Sequence, residues 1–128
     1  MKAISTTKAP VAIGPYSQAM QVGDVLYTSG QIGLTAEGEM IGEDVREQTR
    51  QVLQNLGEVL AAAGSGFDQV IKTTIFLTDI DDFIAVNTVY AAFFDTHKPA
   101  RSTVAVSALP RGAKVEIECI AKFLQYNY

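Results

Sequence analysis

The sequence contains one cysteine, one histidine and no tryptophan. Because Cys119 has no second cysteine to pair with, an internal disulfide is excluded. A chain whose only histidine is His97 cannot form the usual Cys/His zinc site by itself, and we expect no bound metal. A single histidine also argues against a Ser–His catalytic pair. These shortages favour a reducing, cytoplasmic setting.

Long apolar runs are missing too, although 48% of the residues are hydrophobic. No stretch approaches the roughly 18 consecutive apolar residues of a membrane span, and residues 1–8 lack the form of a secretory signal. Ten Lys and Arg residues are outnumbered by fourteen Asp and Glu, giving a net charge of −4. Because nucleic-acid affinity rests mainly on Lys and Arg, this balance disfavours a nucleic-acid partner, and no membrane partner is expected.

Glycine motifs that bind phosphates or dinucleotides are absent from the sequence, as are internal repeats and low-complexity linkers. The length suits a single hydrophobic core. We therefore predict one domain over residues 1–128.

The first of two predicted helices has apolar residues at helical spacing between Val45 and Ala63. Asp44 and Glu47 have the spacing of a capping box, in which each side chain accepts a hydrogen bond from the backbone of the other. Gly64 is a plausible C-terminal stop, since glycine readily takes the left-handed conformation that ends a helix.

The second predicted helix begins near Asp81 and ends because of Pro99, which has no N–H. Its apolar stripe comprises Phe83, Val86, Tyr90, Phe93 and Phe94. Asn87 falls on this stripe, where a buried amide would need partners, and we expect it to tether a loop. His97 follows the helix, and a cationic imidazole there would complement the helix dipole.

The remaining ordered segments are predicted strands: 18–22, 25–29, 70–77, 101–107 and 114–123. In the last strand, alternate residues from Val115 to Phe123 would pack on the helices. Glu116 and its alternates would lie on a mixed face that two helices cannot cover, which points to contact with another subunit. The predicted class is α+β: a mainly antiparallel mixed sheet with two helices packed on one face.

Two charged residues could support chemistry. Arg101 begins a strand, and a guanidinium is a rigid fork suited to carboxylates. Glu116 faces away from the helices, where a carboxylate can hold or activate water. Each also fits an ordinary surface position, so position alone leaves both interpretations open.

Several motifs occur together in a fixed order: Ala12–Gln18, Thr28–Ile32, Val86–Phe94, Pro99–Ser102, Leu109–Pro110 and Val115–Glu118. In these motifs the chain resembles the Rid family of reactive intermediate deaminases, also called the YjgF family. The resemblance extends from about Lys8 to Lys122. The arginine of the Pro-Ala-Arg-Ser motif places it with the archetypal deaminase branch.

The resemblance implies a chorismate-mutase-like fold assembled as a homotrimer, with its sites in clefts between subunits. It also implies a 2-iminobutanoate/2-iminopropanoate deaminase that uses no cofactor. The substrates would be small imines and enamines, such as 2-iminopropionate and 2-aminoacrylate, hydrolysed to a 2-keto acid and ammonia. Two alternatives stay open. One is a non-catalytic trimer that binds small anions or regulates another process. The other is RNA cleavage, which the acidic balance disfavours.

The site residues follow from the same resemblance. Arg101 would bind the substrate carboxylate, Glu116 would position the attacking water, and Tyr16 would complete the catalytic set. The substrate-binding residues would be Arg101, Ser29, Gly30, Asn87 and Thr103, with Gly30 and Gly33 allowing close approach of the backbone. Thr103 departs from the family pattern, because many archetypal members have a cysteine there. That change removes a thiol from the expected cleft.

Overall fold

Six strands form one mixed sheet, and two helices pack on one of its faces. The computed structural model describes residues 1–123. The strands are β1 (Lys2–Ile4), β2 (Ala19–Val22), β3 (Val25–Thr28), β4 (Val70–Leu77), β5 (Ala100–Ala105) and β6 (Val115–Lys122). The helices are α1 (Val45–Ala62) and α2 (Phe83–Phe93).

The strand order is β1-β2-β3-β6-β4-β5. Every neighbouring pair is antiparallel except β4 and β5, which are parallel. The predicted α+β class with a mainly antiparallel sheet is therefore confirmed. The prediction of one domain over residues 1–128 extends past the described residues and stays a prediction.

The two sides of strand β6 face different surroundings, with the core on one side and the open face of the sheet on the other. Its alternate residues Val115, Ile117, Cys119 and Ala121 are buried in the core beneath the helices, as the period-two pattern predicts. Glu116, Glu118 and Ile120 are half-buried on the opposite face. Their cross-strand partners extend this open face with apolar and polar groups: Tyr27, Lys72, Thr74 and Phe76.

Helix α1 is capped differently from the prediction at its start. The Asp44 side chain accepts a hydrogen bond from the Arg46 amide at 2.8 Å. Glu47 instead accepts a hydrogen bond from Arg50 Nη1 at 2.6 Å, so the predicted reciprocal capping box is wrong. The attraction of a nearby cation keeps this carboxylate on the helix surface. The predicted stop at Gly64 is confirmed by its positive φ of 74°.

Helix α2 ends at Phe93, well before Pro99, so the expectation that the proline ends it is wrong. The chain leaves helical geometry at Phe94, whose ring is buried in the core. His97 does not cap the helix either, because its Nε2 lies 2.6 Å from the carbonyl oxygen of Val70 in β4. The histidine therefore links the turn after α2 to the sheet.

Three buried side-chain amides hold the long loops to the core. Gln18 Nε2 donates to the Pro10 carbonyl at 2.7 Å, Gln48 Nε2 to the Gly42 carbonyl at 2.7 Å, and Asn55 Nδ2 to the Leu34 carbonyl at 2.8 Å. Each amide satisfies a backbone group that regular secondary structure leaves unpaired.

Within residues 1–123, neither helix has the length and apolar character needed to cross a membrane.

Candidate active site

A cavity of about 290 Å³ lies beside Glu116. Its lining includes Tyr16, Gly30, Ile32, Leu34, Arg111 and Glu116. Burial raises the pKa of the Glu116 carboxyl, and the neighbouring Glu118 carboxylate raises it further. A raised pKa brings proton exchange closer to neutral pH, where a general acid–base group is most effective.

Gly30 lies directly beneath the Glu116 side chain. A Cβ at position 30 would lie 2.7 Å from Cδ and 2.9 Å from Cγ of Glu116, and closer still to Oε2. Gly33 shows a similar constraint, because a Cβ there would lie 3.1 Å from the backbone and side chain of Gln48. The predicted close approach at both glycines is confirmed. At Gly30 this approach leaves the carboxyl room to occupy the cavity wall.

Tyr16 and Ser29 lie in neighbouring segments but play different parts in this chain. Tyr16 lines the cavity, with 53% of its surface exposed. Ser29 donates from Oγ to the Ser17 carbonyl at 2.6 Å, and its amide donates to the Gln18 carbonyl at 2.9 Å. The Ser29 hydroxyl proton is thus used to hold the segment that carries Tyr16.

Arg101 lies on the other face of the sheet, against helix α2. Its Nη1 donates to Asn87 Oδ1 at 2.7 Å. The guanidinium carbon lies 4.9 Å from the centre of the Tyr90 ring and 5.6 Å from that of Phe83. Asn87 is exposed, so the expectation of a buried amide that tethers a loop is wrong. Its Oδ1 accepts the hydrogen bond from Arg101 instead, and both residues border a cavity of about 440 Å³.

Thr103 shares the face of Arg101 and lies two residues along β5. It pairs in register with Ile75, a core residue of β4. Its Oγ1 is buried and makes no hydrogen bond to any part of the chain that the structure describes. Burying a hydroxyl without a partner costs about 1–3 kcal/mol.

Arg101 and Glu116 do not meet within one chain. Arg101 is in register with Thr73 of β4, which is buried on the helix side. Glu116 is in register with Phe76, on the open side. Their strands are two sheet positions apart, which separates their backbones by about 10 Å across the sheet alone. The chain therefore carries two candidate half-sites, one on each face of the sheet.

Among the residues near these candidate half-sites that were not predicted as site residues are Phe83, Tyr90 and Arg111. The helical spacing of Phe83, Asn87 and Tyr90 carries a signal, but such an apolar stripe usually indicates core packing. Arg111 has a positive φ of 60° and lines the cavity beside Glu116. Over residues 1–123, no group of three or more His, Cys, Asp or Glu side chains is arranged to hold a metal ion.

Residues 6–123 match the family model described as Endoribonuclease L-PSP. The chain belongs to this family. The match covers both half-sites and every motif that carried the resemblance to the Rid family, and relatives named as deaminases place the chain in the archetypal deaminase branch. The resemblance is therefore confirmed.

Two curated proteins are close to this chain in sequence. The mouse protein named 2-iminobutanoate/2-iminopropanoate deaminase is 54% identical over 121 residues, which are 94% of this chain and 90% of the mouse protein. The Arabidopsis thaliana protein named Reactive Intermediate Deaminase A, chloroplastic, is 52% identical over 92% of this chain and 64% of the plant protein.

A solved crystal structure matches the fold closely. E. coli TdcF with bound serine superimposes with a TM-score of 0.91 at 44% identity, covering 95% of this chain and 98% of that one. Its ligand is a small amino acid with a carboxylate.

Proposed function

We propose that this protein is a hydrolytic deaminase of reactive imines and enamines of the 2-iminopropionate and 2-aminoacrylate type. The observation that carries the proposal is the pair of half-sites: a guanidinium held ready by Asn87, and a Glu116 carboxyl of raised pKa in a cavity. Relatives named as 2-iminobutanoate/2-iminopropanoate deaminases support the same reaction.

The working site requires more than one chain, and we place it between subunits of a homotrimer. A small imine spans only a few ångströms, whereas Arg101 and Glu116 lie on opposite faces of the sheet. The open face offers an apolar contact surface, since Tyr27 is 49% exposed and Val104 is 43% exposed. Contact through this face in a closed ring would bring the Glu116 side of one subunit to the Arg101 side of the next.

The reaction needs only side chains that hold the substrate and a water molecule in position. Arg101 would bind the substrate carboxylate through two parallel N–H donors. Glu116 would accept a proton from a water molecule as the water oxygen adds to the imine carbon, and would then pass that proton to the nitrogen. The carbinolamine formed in this way releases ammonia and leaves the 2-keto acid. Holding water against a bound imine can lower the barrier by up to about 7–11 kcal/mol.

The remaining predicted residues have narrower parts in this proposal. Tyr16 would orient the substrate or the water from the cavity wall, and Gly30 would keep room for the Glu116 carboxyl. Asn87 would fix Arg101, and Ser29 would fix the Tyr16 segment. Thr103 would shape the cleft beside Arg101, because its own hydroxyl oxygen is buried within the chain. The reaction uses no cofactor in this scheme.

A coupled assay tests the function. Purified protein is mixed with a dehydratase that generates 2-iminopropionate, and release of the keto acid is followed over time. We expect clear acceleration over buffer, and loss of at least about 100-fold in Arg101→Ala and Glu116→Gln, since each removes a placed charge. Arg46→Ala, at an exposed arginine of α1, is the matched control and should keep full activity.

Two results would change this assignment. Binding of pyruvate without any acceleration would support a non-catalytic trimer that binds small anions. A solution mass near 13.8 kDa by light scattering would contradict the trimer, which requires about three times the chain mass.

RNA cleavage, which the family description names, has less support in this chain. Its single histidine is hydrogen-bonded to a backbone carbonyl, and its net charge is −4. We keep a cytoplasmic location as part of the proposal, although the Arabidopsis relative is named as chloroplastic.

A further inference from the structure

We propose that Tyr90 is a positioning residue that sets the plane of the Arg101 guanidinium. The inference rests on the proposed function, because it concerns how Arg101 presents its donors to a substrate carboxylate. Tyr90 is not among the catalytic or substrate-binding residues predicted from the sequence.

One stripe of α2 faces Arg101 at three successive positions. Phe83, Asn87 and Tyr90 are spaced by four and then three residues, so their side chains lie on one side of the helix. Asn87 holds one end of the guanidinium through the 2.7 Å bond to Nη1. Tyr90 provides the closer of two aromatic surfaces, at 4.9 Å from the guanidinium carbon. A cation at that distance is attracted to the ring.

The Tyr90 ring is itself fixed from two directions. Its hydroxyl lies 2.7 Å from Oγ1 of Thr73, in a buried hydrogen bond between the helix and β4. On the other side, the Phe94 ring centre lies 4.6 Å away. Thr73 is also the residue in register with Arg101 across the parallel pair of β4 and β5. Arg101 thus contacts Tyr90, Tyr90 is hydrogen-bonded to Thr73, and Thr73 lies beside Arg101 in the sheet.

These contacts affect how a substrate carboxylate is oriented. A bidentate bond requires the carboxylate to lie nearly in the plane of the guanidinium. Because Nη1 is occupied by Asn87, the remaining donors are left for the ligand, in a plane that the ring fixes. The carbon next to the carboxylate is the reacting imine carbon, so this plane also sets its direction toward the attacking water. Tyr90 would therefore affect turnover as well as affinity.

Pyruvate, a 2-keto acid of the product class, is the binding probe, and calorimetry gives its Kd without turnover. We expect Tyr90→Leu to weaken pyruvate binding about tenfold, because it removes the aromatic surface. Tyr90→Phe keeps the ring and should keep the Kd within about twofold while lowering kcat about three- to tenfold. Thr73→Val should match Tyr90→Phe.

The double variant Thr73→Val/Tyr90→Phe tests the shared hydrogen bond. Since both changes remove the same bond, their effects on kcat should not add, and the double variant should equal the worse single variant. Val89→Ala is the control: it is buried in α2, one residue from Tyr90, but outside the stripe. It should lower thermal stability and leave both Kd and kcat within about twofold.

The outcomes separate this inference from the proposed function. A wild-type Kd for pyruvate in Tyr90→Leu, or additive effects on kcat in the double variant, would overturn the role of Tyr90 and leave the deaminase intact. If Tyr90→Leu fails to fold, unchanged kcat in both Tyr90→Phe and Thr73→Val overturns the role instead. Absence of both pyruvate binding and turnover in the unaltered protein would overturn the proposed function itself.

Discussion

Arg101 and Glu116 lie on opposite faces of the same sheet, in strands that β4 separates. Arg101 packs against Tyr90 of α2, whereas Glu116 covers Gly30 on the side that no helix reaches in the described residues. A substrate of a few heavy atoms cannot bridge these two groups in one chain. Two surfaces from different chains can bring them together.

Complementation between inactive chains follows from that separation. We expect co-expressed Arg101→Ala and Glu116→Gln chains to regain activity, because a mixed trimer places an intact Arg101 against an intact Glu116 at one interface. Random mixing of equal amounts would restore about a quarter of the sites. The coupled keto-acid assay on purified mixed protein measures this fraction. Activity no higher than that of either parent would show that the two residues serve the same chain.

A methyl group at position 30 tests the space around Glu116. We expect Gly30→Ala to displace the Glu116 carboxyl, since the added Cβ would lie within 2.9 Å of its Cγ. Activity should fall at least about tenfold, and stability should fall by about 1–3 kcal/mol, as for other overpacked sites. Urea unfolding and the coupled assay measure the two effects. Gly66→Ala is the control, because its nearest contact is the movable Asp68 carboxylate at 3.1 Å, and it should stay active.

The raised pKa of Glu116 gives a pH dependence of known sign. A raised pKa means that the folded protein holds this proton more tightly than the unfolded chain does. The ionised carboxylate therefore lowers the free energy of unfolding above the raised pKa, and the penalty vanishes as pH falls below the ordinary value of 4.5. We expect Glu116→Gln to be more stable than wild type at pH 7, by less than about 1 kcal/mol because the group is half-exposed.

Denaturation curves between about pH 4 and pH 7 would check this dependence, and the stability difference should shrink toward the acid end. Glu118→Gln offers a second check. It removes the carboxylate that raises the pKa of Glu116, so the Glu116 titration followed by NMR should move to lower pH. A constant difference between wild type and Glu116→Gln across this range would contradict the assignment.

The single thiol should be inert in the folded protein. Cys119 is 4% exposed, and burial raises its pKa to about 11. We expect no reaction with a thiol reagent at about pH 8 in buffer and complete reaction in urea, because the thiolate is the reactive form. Fast labelling of the native protein would contradict the burial.

The same thiol lowers the free energy of unfolding in alkali. Between pH 9 and 11 the thiol ionises in the unfolded chain but stays neutral in the folded protein, so stability should fall as pH rises. The loss would be on the order of 2 kcal/mol. Cys119→Ala removes this part of the slope, and comparing its unfolding curves with those of wild type isolates the contribution.

Local patterns predicted much of the fold. The bounds of β4 are identical to the predicted range of 70–77, because β-branched residues fill a strand between clear turn signals. The burial of alternate residues in β6 also follows from sequence, since the two faces of a strand alternate strictly. Gly64 ends α1 where expected, because the residue after the helix takes the left-handed conformation that glycine readily adopts.

Other features depend on contacts that the sequence does not contain. Strand β1 has three residues and gains its geometry from pairing with β2. The face on which Arg101 lies depends on the register of β5 against β4, which a shift of one residue would reverse. Helical spacing predicts a buried amide at Asn87, because it places this residue on the apolar stripe. In the structure that stripe runs to the edge of the sheet, where Arg101 covers it.

The buried amides of Gln18, Gln48 and Asn55 have a consequence for how the cavity beside Glu116 can change. Each amide bonds to a backbone carbonyl, so it holds its loop whatever side chain that loop carries. The backbone course of the loops around the cavity therefore does not depend on the side chains that line it. Ile13 and Leu34 both line this cavity, and substitutions there can alter its shape while the loops keep their course. The shape of the cavity can thus be redesigned without rebuilding the fold.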